Sequence, residues 1–235
     1  MSRIDVPAGR FRYKDLCLDA VDPQAVAPFW SAALGLAAEP RGHNVVLTDD
    51  VPEHTLWLNK VPEPRTAKQR VHLDLHVGSE AELLHLGATL LDNTQPWMVL
   101  RDPEGGELCA FVRPDGQLPT YRLYELVVDA ADPQALAAWW GERFGVEVQR
   151  DAEDGSSWLD DVPGMPWPLV FNAVPEPKTV KNRVHWDLWG TSADAFDAGA
   201  RLLRPADDDI SWDVLADPEG NEFCVFTPER STDGG

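Results

Sequence analysis

Two long stretches of this chain repeat one another, and that duplication limits the fold more than any other feature. Cys17–Leu36 and Val127–Val146 are identical at nine of twenty positions. Asn59–Leu75 matches Asn172–Leu188 at twelve of seventeen, and Asp102–Val112 matches Asp217–Thr227 at seven of eleven. The offset between copies grows from 110 to 113 to 115, as insertions in loops between fixed elements would make it. Each copy is far longer than a solenoid repeat, so the reading is a fused pair of domains rather than an array. The predicted modules are 1–115 and 120–230, joined near Arg113–Pro119, a turn-rich segment.

The order of elements is the same in both copies. Arg12–Ala20 alternates as a strand. Asp22-Pro23 then supplies an N-cap with proline at the first helical position, and Gly35 closes the helix. Val45–Thr48, Thr55–Val61 and Val71–Val77 read as strands. Ser79 with Glu82 predicts a capping box opening a second helix to about Leu91. Trp97–Arg101 and Glu107–Val112 are predicted strands around the turn at Asp102–Gly106. Each copy therefore reads β-α-β-β twice, with short strands still to be added.

Composition narrows the function. Twenty cations against forty acids give a net charge of −20, which a phosphate backbone or anionic lipid surface would repel. Neither nucleic acid nor membrane is an expected partner. No run of eighteen apolar residues exists, and Met1–Asp5 lacks a signal-peptide core. Three cysteines, at 17, 109 and 224, cannot all pair and form no CxxC, so a reduced, cytoplasmic protein is expected.

The Asp-Pro-capped helix with its Trp and Leu-Gly stop, the central Arg-Val-His-Leu-Asp-Leu strand and the closing Asp-Pro-Glu-Gly strand together resemble the vicinal oxygen chelate superfamily. The likeness is to its glyoxalase-like and bleomycin-resistance-like branch, over nearly the whole chain. It implies an α+β fold of tandem βαβββ units, forming two curved half-open barrel modules around cavities. It does not imply one reaction, because the fold hosts lyases, epimerases, dioxygenases and drug-binding proteins. Fused modules mimic a dimer, which fits a monomeric chain.

Strand alternation selects the candidate site. Arg70, His72, Asp74 and His76 share one face, and Arg183, His185, Asp187 and Trp189 share its counterpart. A face mixing polar groups with Trp reads as a cavity wall. Other inward sets are Trp57 with Asn59 and Val170 with Asn172. Cys109 falls with Glu107 and Phe111, and Cys224 with Glu222 and Phe226. On the first strands, Tyr13, Asp15 and Cys17 match Leu123, Glu125 and Val127. His72 and Asp74 are about 6.6 Å apart along the strand, too far to guarantee a hydrogen bond.

The resemblance implies metal ligands at four strand positions. Within each copy these fall on Asp15, Asn59, His72 and Cys109, and on Glu125, Asn172, His185 and Cys224. The central histidine alone keeps the family's residue type, so no metal and no cofactor are expected. The predicted function is a small-molecule-binding protein for an aromatic or polycyclic metabolite, in the manner of a resistance protein. The alternative is a lyase or isomerase using His72, Asp74, Glu125 or His185, and a weaker one is a structural or regulatory partner module.

Further expectations concern particular residues. Trp186 belongs in the core. Arg70 and Arg183, in the repeated Pro-Glu-Pro loops, are expected to pin those loops by pairing with carboxylates, a phosphate or carboxylate grip being the alternative. The copies differ at Trp57 and Val170, so one cavity is expected to be functional and the other partly filled. The first copy is favoured, with Trp57 beside His72, Asp74 and His76, so that Trp57→Ala would weaken binding about tenfold.

Overall fold

A computed structural model describes residues 6, 10–114 and 116–228 of the chain. Met1–Asp5, Asp115 of the predicted linker and the last residues of the second predicted module therefore lie outside the described residues. Two eight-stranded mixed sheets form, neither closed into a barrel. The first copy supplies β1 (Arg12–Ala20), α1 (Pro23–Leu34), β2 (Ala37–Arg41), β3 (Asn44–Thr48) and β4 (Leu56–Lys60), then β5 (Val71–Val77), α2 (Glu82–His85), β6 (Thr89–Asp92), β7 (Met98–Arg101) and β8 (Glu107–Val112). The second supplies β9 (Leu123–Ala130), α3 (Pro133–Phe144), β10 (Val148–Arg150), β11 (Ser157–Leu159) and β12 (Leu169–Ala173), then β13 (Val184–Trp189), α4 (Ser192–Phe196), β14 (Arg201–Arg204), β15 (Asp213–Ala216) and β16 (Glu222–Phe226).

The copies exchange halves. One sheet runs β14-β15-β16-β13-β1-β4-β3-β2 and the other β10-β11-β12-β9-β5-β8-β7-β6. Two curved modules form as expected, but each takes four strands from each copy. An eight-stranded sheet folded within one copy does not occur. The junctions are antiparallel: β1 sets Cys17 against His185, and β9 sets Val127 against His72 and Glu125 against Asp74.

Local chemistry explains the element boundaries. Asp22 and Asp132 accept from Ala25 N and Ala135 N at the helix starts, and Gly35 and Gly145 end the helices in the left-handed region. A Cβ on Gly35 would sit 2.1 Å from the Thr120 carbonyl, so glycine is required there twice over. The Asp-Pro-Glu-Gly turn proves structural. Asp102 accepts from Glu104 N and Gly106 N, while the Glu104 carboxylate accepts from Val21 N and Asp22 N at the entry to α1. Glu219 does the same for Ala131 and Asp132. This turn ties the two halves of one copy together although they lie in different sheets.

The predicted second helix is far shorter than expected. Glu82 does not close a capping box with Ser79. Its carboxylate accepts from Gly78 N and pairs with Arg122, and the chain leaves the helix for edge strand β6 at Thr89. The core lies between sheets and helices, and Trp30, Trp140 and Trp186 are fully buried in it. Among the described residues no helix is long and apolar enough to cross a membrane.

Candidate functional site

Each sheet carries a cavity on its concave polar face, and the two are unequal. That between β5, β8, β9 and β12 holds about 710 Å³, whereas its counterpart between β1, β4, β13 and β16 holds about 260 Å³. The exchange of halves decides which residues meet. His72, Asp74 and Cys109 from the first copy line the larger cavity with Glu125 and Asn172 from the second. His185, Asp187 and Cys224 line the smaller one with Trp57 and Asn59.

Several expected groupings are thereby corrected. Trp57 does not stand beside His72, because its strand pairs with β1 in the other sheet. The four positions that the resemblance assigns to metal ligands meet across the copies, as Glu125, Asn172, His72 and Cys109 in the larger cavity and as Asn59, His185 and Cys224, without Asp15, in the smaller. Three predicted residues line neither of these two cavities. Asp15 pairs with Lys14, Trp189 packs on Phe226 at 5.9 Å, and His76 packs on Tyr124 and accepts from Arg113 Nε at 2.7 Å.

Strict alternation also misplaced part of the first strands. The registers skip Lys14 and Tyr124, leaving a bulge at the same place in both copies. A bulge re-aims the side chains before it. Tyr13 and Leu123 therefore go to the core, and Lys14 and Tyr124 turn into the cavities. The sequence holds no glycine or other mark of this bulge. Trp158 and Trp97 are further lining residues that strand pairing, rather than periodicity, reveals.

One wall of the larger cavity is aromatic. Trp97 stacks on Phe111 with centroids 5.5 Å apart, and Phe111 meets Tyr124 edge-on at 5.3 Å. The opposite wall is polar. His72 Nε2 lies 3.3 Å from Asp74 Oδ1, closer than strand spacing alone predicts, because both side chains lean together. Burial alone would push the His72 imidazole down, but Asp74, with Asp129 and Glu107 beyond it, holds its pKa above the ordinary value. Glu125 is raised, by burial first and then by the charge of Asp74. Six carboxylates line this cavity (Asp74, Glu107, Glu125, Asp129, Asp154 and Asp160) against one lysine, Lys68, whose Nζ is 3.1 Å from Asp129.

The smaller cavity has one acid, Asp187, and one lysine, Lys14. Lys14 Nζ sits 4.4 Å above the Phe226 ring, and Trp57 and Trp212 are among the lining residues. Burial raises Asp187 although His185 and Lys14 oppose it.

The sequence profile of the Glyoxalase-like domain matches residues 15–111 and again 125–226. The chain belongs to the glyoxalase-like domain family. In fold it is similar to glyoxalase I from Zea mays, with a TM-score of 0.65 at 12% identity over 93% of this chain and 92% of that one. A candidate dioxygenase from Bacillus subtilis subsp. subtilis str. 168 gives a TM-score of 0.61 at 13% identity, over 93% and 86% of the two chains. No curated protein matches the chain. These structural likenesses concern the fold of the glyoxalase-like chain alone.

A metal in such a fold would draw on several strands, and these residues do not fit that arrangement. His72, Asp74 and Cys109 offer donor atoms within 4.8 Å of one another, as do Cys17, His185 and Asp187. In the larger cavity all three donors come from neighbouring strands β5 and β8. Facing them, β9 and β12 present Glu125, which does not join that cluster, with Val127, Val170 and the neutral amide of Asn172. Burial pushes the Cys109 thiol up, further from the thiolate that binds metal.

Proposed function

We propose that this glyoxalase-like protein binds a planar, positively charged aromatic small molecule in the larger cavity, without a metal. The observation that carries the reading is a single 710 Å³ space with a stacked aromatic wall on one side and six carboxylates around it. A flat ring buried against Trp97, Phe111 and Tyr124 gains apolar contact at roughly 25 cal/mol per Å². A cationic ring also gains cation–π attraction and offsets carboxylates that now repel one another. The volume lies within the range of ordinary small-molecule pockets. The protein is proposed to act inside the cell, where its three buried free thiols stay reduced.

The test is titration with proflavine, a planar aromatic cation, against acridone, its uncharged analogue. Saturable quenching of tryptophan fluorescence by proflavine, at least tenfold tighter than by acridone, is expected. Equal affinities would remove the charge from the proposal, and no binding of either would remove the whole.

A second reading has its own observation. A raised Glu125 across the strand pair from a contacting His72–Asp74 set is an arrangement suited to proton transfer, as in a lyase or isomerase. Turnover of a bound ligand that Glu125→Gln abolishes without loss of binding would establish it.

A further inference from the structure

On a protein with twice as many acids as cations, five cations line one small space. The repeated loops, Pro62–Arg70 in the first copy and Pro175–Arg183 in the second, face each other and enclose a pocket of about 240 Å³. Arg65, Lys68, Arg70, Lys181 and Arg183 line it, and Glu63 is the one acid to do so. Among the described residues, Arg70 and Arg183 do not pair with carboxylates as the sequence led us to expect. Arg70 donates to the Glu176 carbonyl at 2.6 Å and to the Asp129 carbonyl, and Arg183 donates to the Glu63 carbonyl. Each copy thus holds the other copy's loop by its backbone, and the guanidinium charges stay uncompensated by that contact.

The two lysines are committed, Lys68 to Asp129 and Lys181 to Asp19. Arg65 is the exception. Its counterpart, Lys178, is paired with Glu222 at 2.8 Å. Arg65 instead reaches one carboxylate, Asp102, at the outer limit of 4.0 Å, and its Nη1 donates to Gln69. Its Nε and Nη2 are buried without a hydrogen-bond partner, as is Nε of Arg70. Gly106 makes room for this placement, since a Cβ there would lie 2.9 Å from Arg65 Nη2. The second copy has Asn221 at that position, and its amide binds Asp217 instead. Buried donors without acceptors cost free energy, as does burial of guanidinium groups near one another. Burial, with Arg183 adding to it, lowers the Arg65 pKa despite Asp102.

We propose that the pocket between the two repeated loops is a binding site for a phosphate-type dianion, gripped by Arg65 with Arg70 and Arg183. Guanidinium groups engage phosphate oxygens through paired N–H donors, and a dianion answers several positive charges at once. The volume admits a phosphate group with part of a carrier molecule. The pocket shares Lys68 with the larger cavity, but the three arginines proposed to grip the anion lie outside that cavity's lining.

Isothermal titration of the full chain with inorganic phosphate, at constant ionic strength set by chloride, tests this. Saturable one-to-one binding is expected, with sodium acetate giving none under the same conditions. Arg65→Gln should weaken phosphate binding at least tenfold while circular dichroism and proflavine affinity stay unchanged. Lys178→Gln, which removes the committed counterpart, should leave it as it was. If Arg65→Gln fails to fold, Arg65→Lys, which keeps the charge but loses the paired donors, is expected to weaken binding severalfold in its place. Absence of saturable binding, acetate binding as tightly as phosphate, or equal losses in Arg65→Gln and Lys178→Gln would each overturn the proposal.

Discussion

The two cavities share one topology and matching histidines, aspartates and cysteines, yet differ nearly threefold in volume, at about 710 and 260 Å³. The placement of one indole distinguishes them. In the smaller cavity Trp57 stands on β4, directly beside central strand β1, and faces Val46 on the next strand out. In the larger one the order is reversed: Val170 stands beside the centre and Trp158 is one strand further out. Trp158 is tethered there by donating to Asp160 at 2.9 Å. The same aromatic mass plugs one cavity and walls the other. A bulged lysine in one copy and a bulged tyrosine in the other complete the contrast.

Moving that mass should have the largest effect. Val170→Trp is expected to abolish proflavine quenching, raising Kd about a hundredfold or more, because it puts an indole at the centre of the larger cavity. Trp57→Ala should leave proflavine affinity within a factor of two, in contrast to the sequence-based expectation. A loss in Trp57→Ala comparable to that in Val170→Trp would show that the ligand sits in the smaller cavity.

Charge comes next. Replacing Glu125 and Asp160 by their amides should weaken proflavine about tenfold and flatten the salt dependence of its Kd, while acridone is unaffected. Unchanged salt dependence would show that the acidic lining plays no part in binding.

Smaller effects are expected in stability. The folded pKa of His72 lies above its ordinary value of 6.5. Its contact with Asp74 therefore contributes fully below about pH 6.5 and is lost as pH rises through the folded value. His72→Gln should lower Tm at pH 5.5 by more than at pH 8.5, and equal losses would contradict the assignment. Glu125 is also raised, so its ionisation opposes folding at neutral pH, and Glu125→Gln should raise Tm at pH 7 by about 1 to 2 °C. The smallest effect is expected from metal removal. Protein purified without chelator should carry well under one transition ion per chain by mass spectrometry, and chelator should not move Tm. A stoichiometric ion would overturn the metal-free reading.

The duplication, the capped helices and the inward faces of β4, β5, β8, β12 and β13 are all legible in the sequence, because period-two alternation and cap chemistry are local. The exchange of halves is not. Within-copy and between-copy pairing would set equivalent strands together, β1 or β9 against β5 or β13, and bury equivalent residues either way. Repetition thus conceals which partner is chosen. It follows that Trp57 and His72 could be assigned correctly to inward faces and wrongly to each other. The bulges at Lys14 and Tyr124 are set by register with a partner strand, which a single strand's pattern does not contain.

The exchange also sets an order of events for a chain emerging from the ribosome. The sheet with the larger cavity joins β5 to β9 with only α2 and β6 to β8 between them in the chain, and is complete once β12 exists. The other must bring Cys17 to His185, so β1 to β4 wait until nearly the whole chain is made. Loop closure costs more over the longer span, and non-local pairing slows folding. The larger cavity is therefore expected to be the first part of this molecule to take shape, and the plugged one the last.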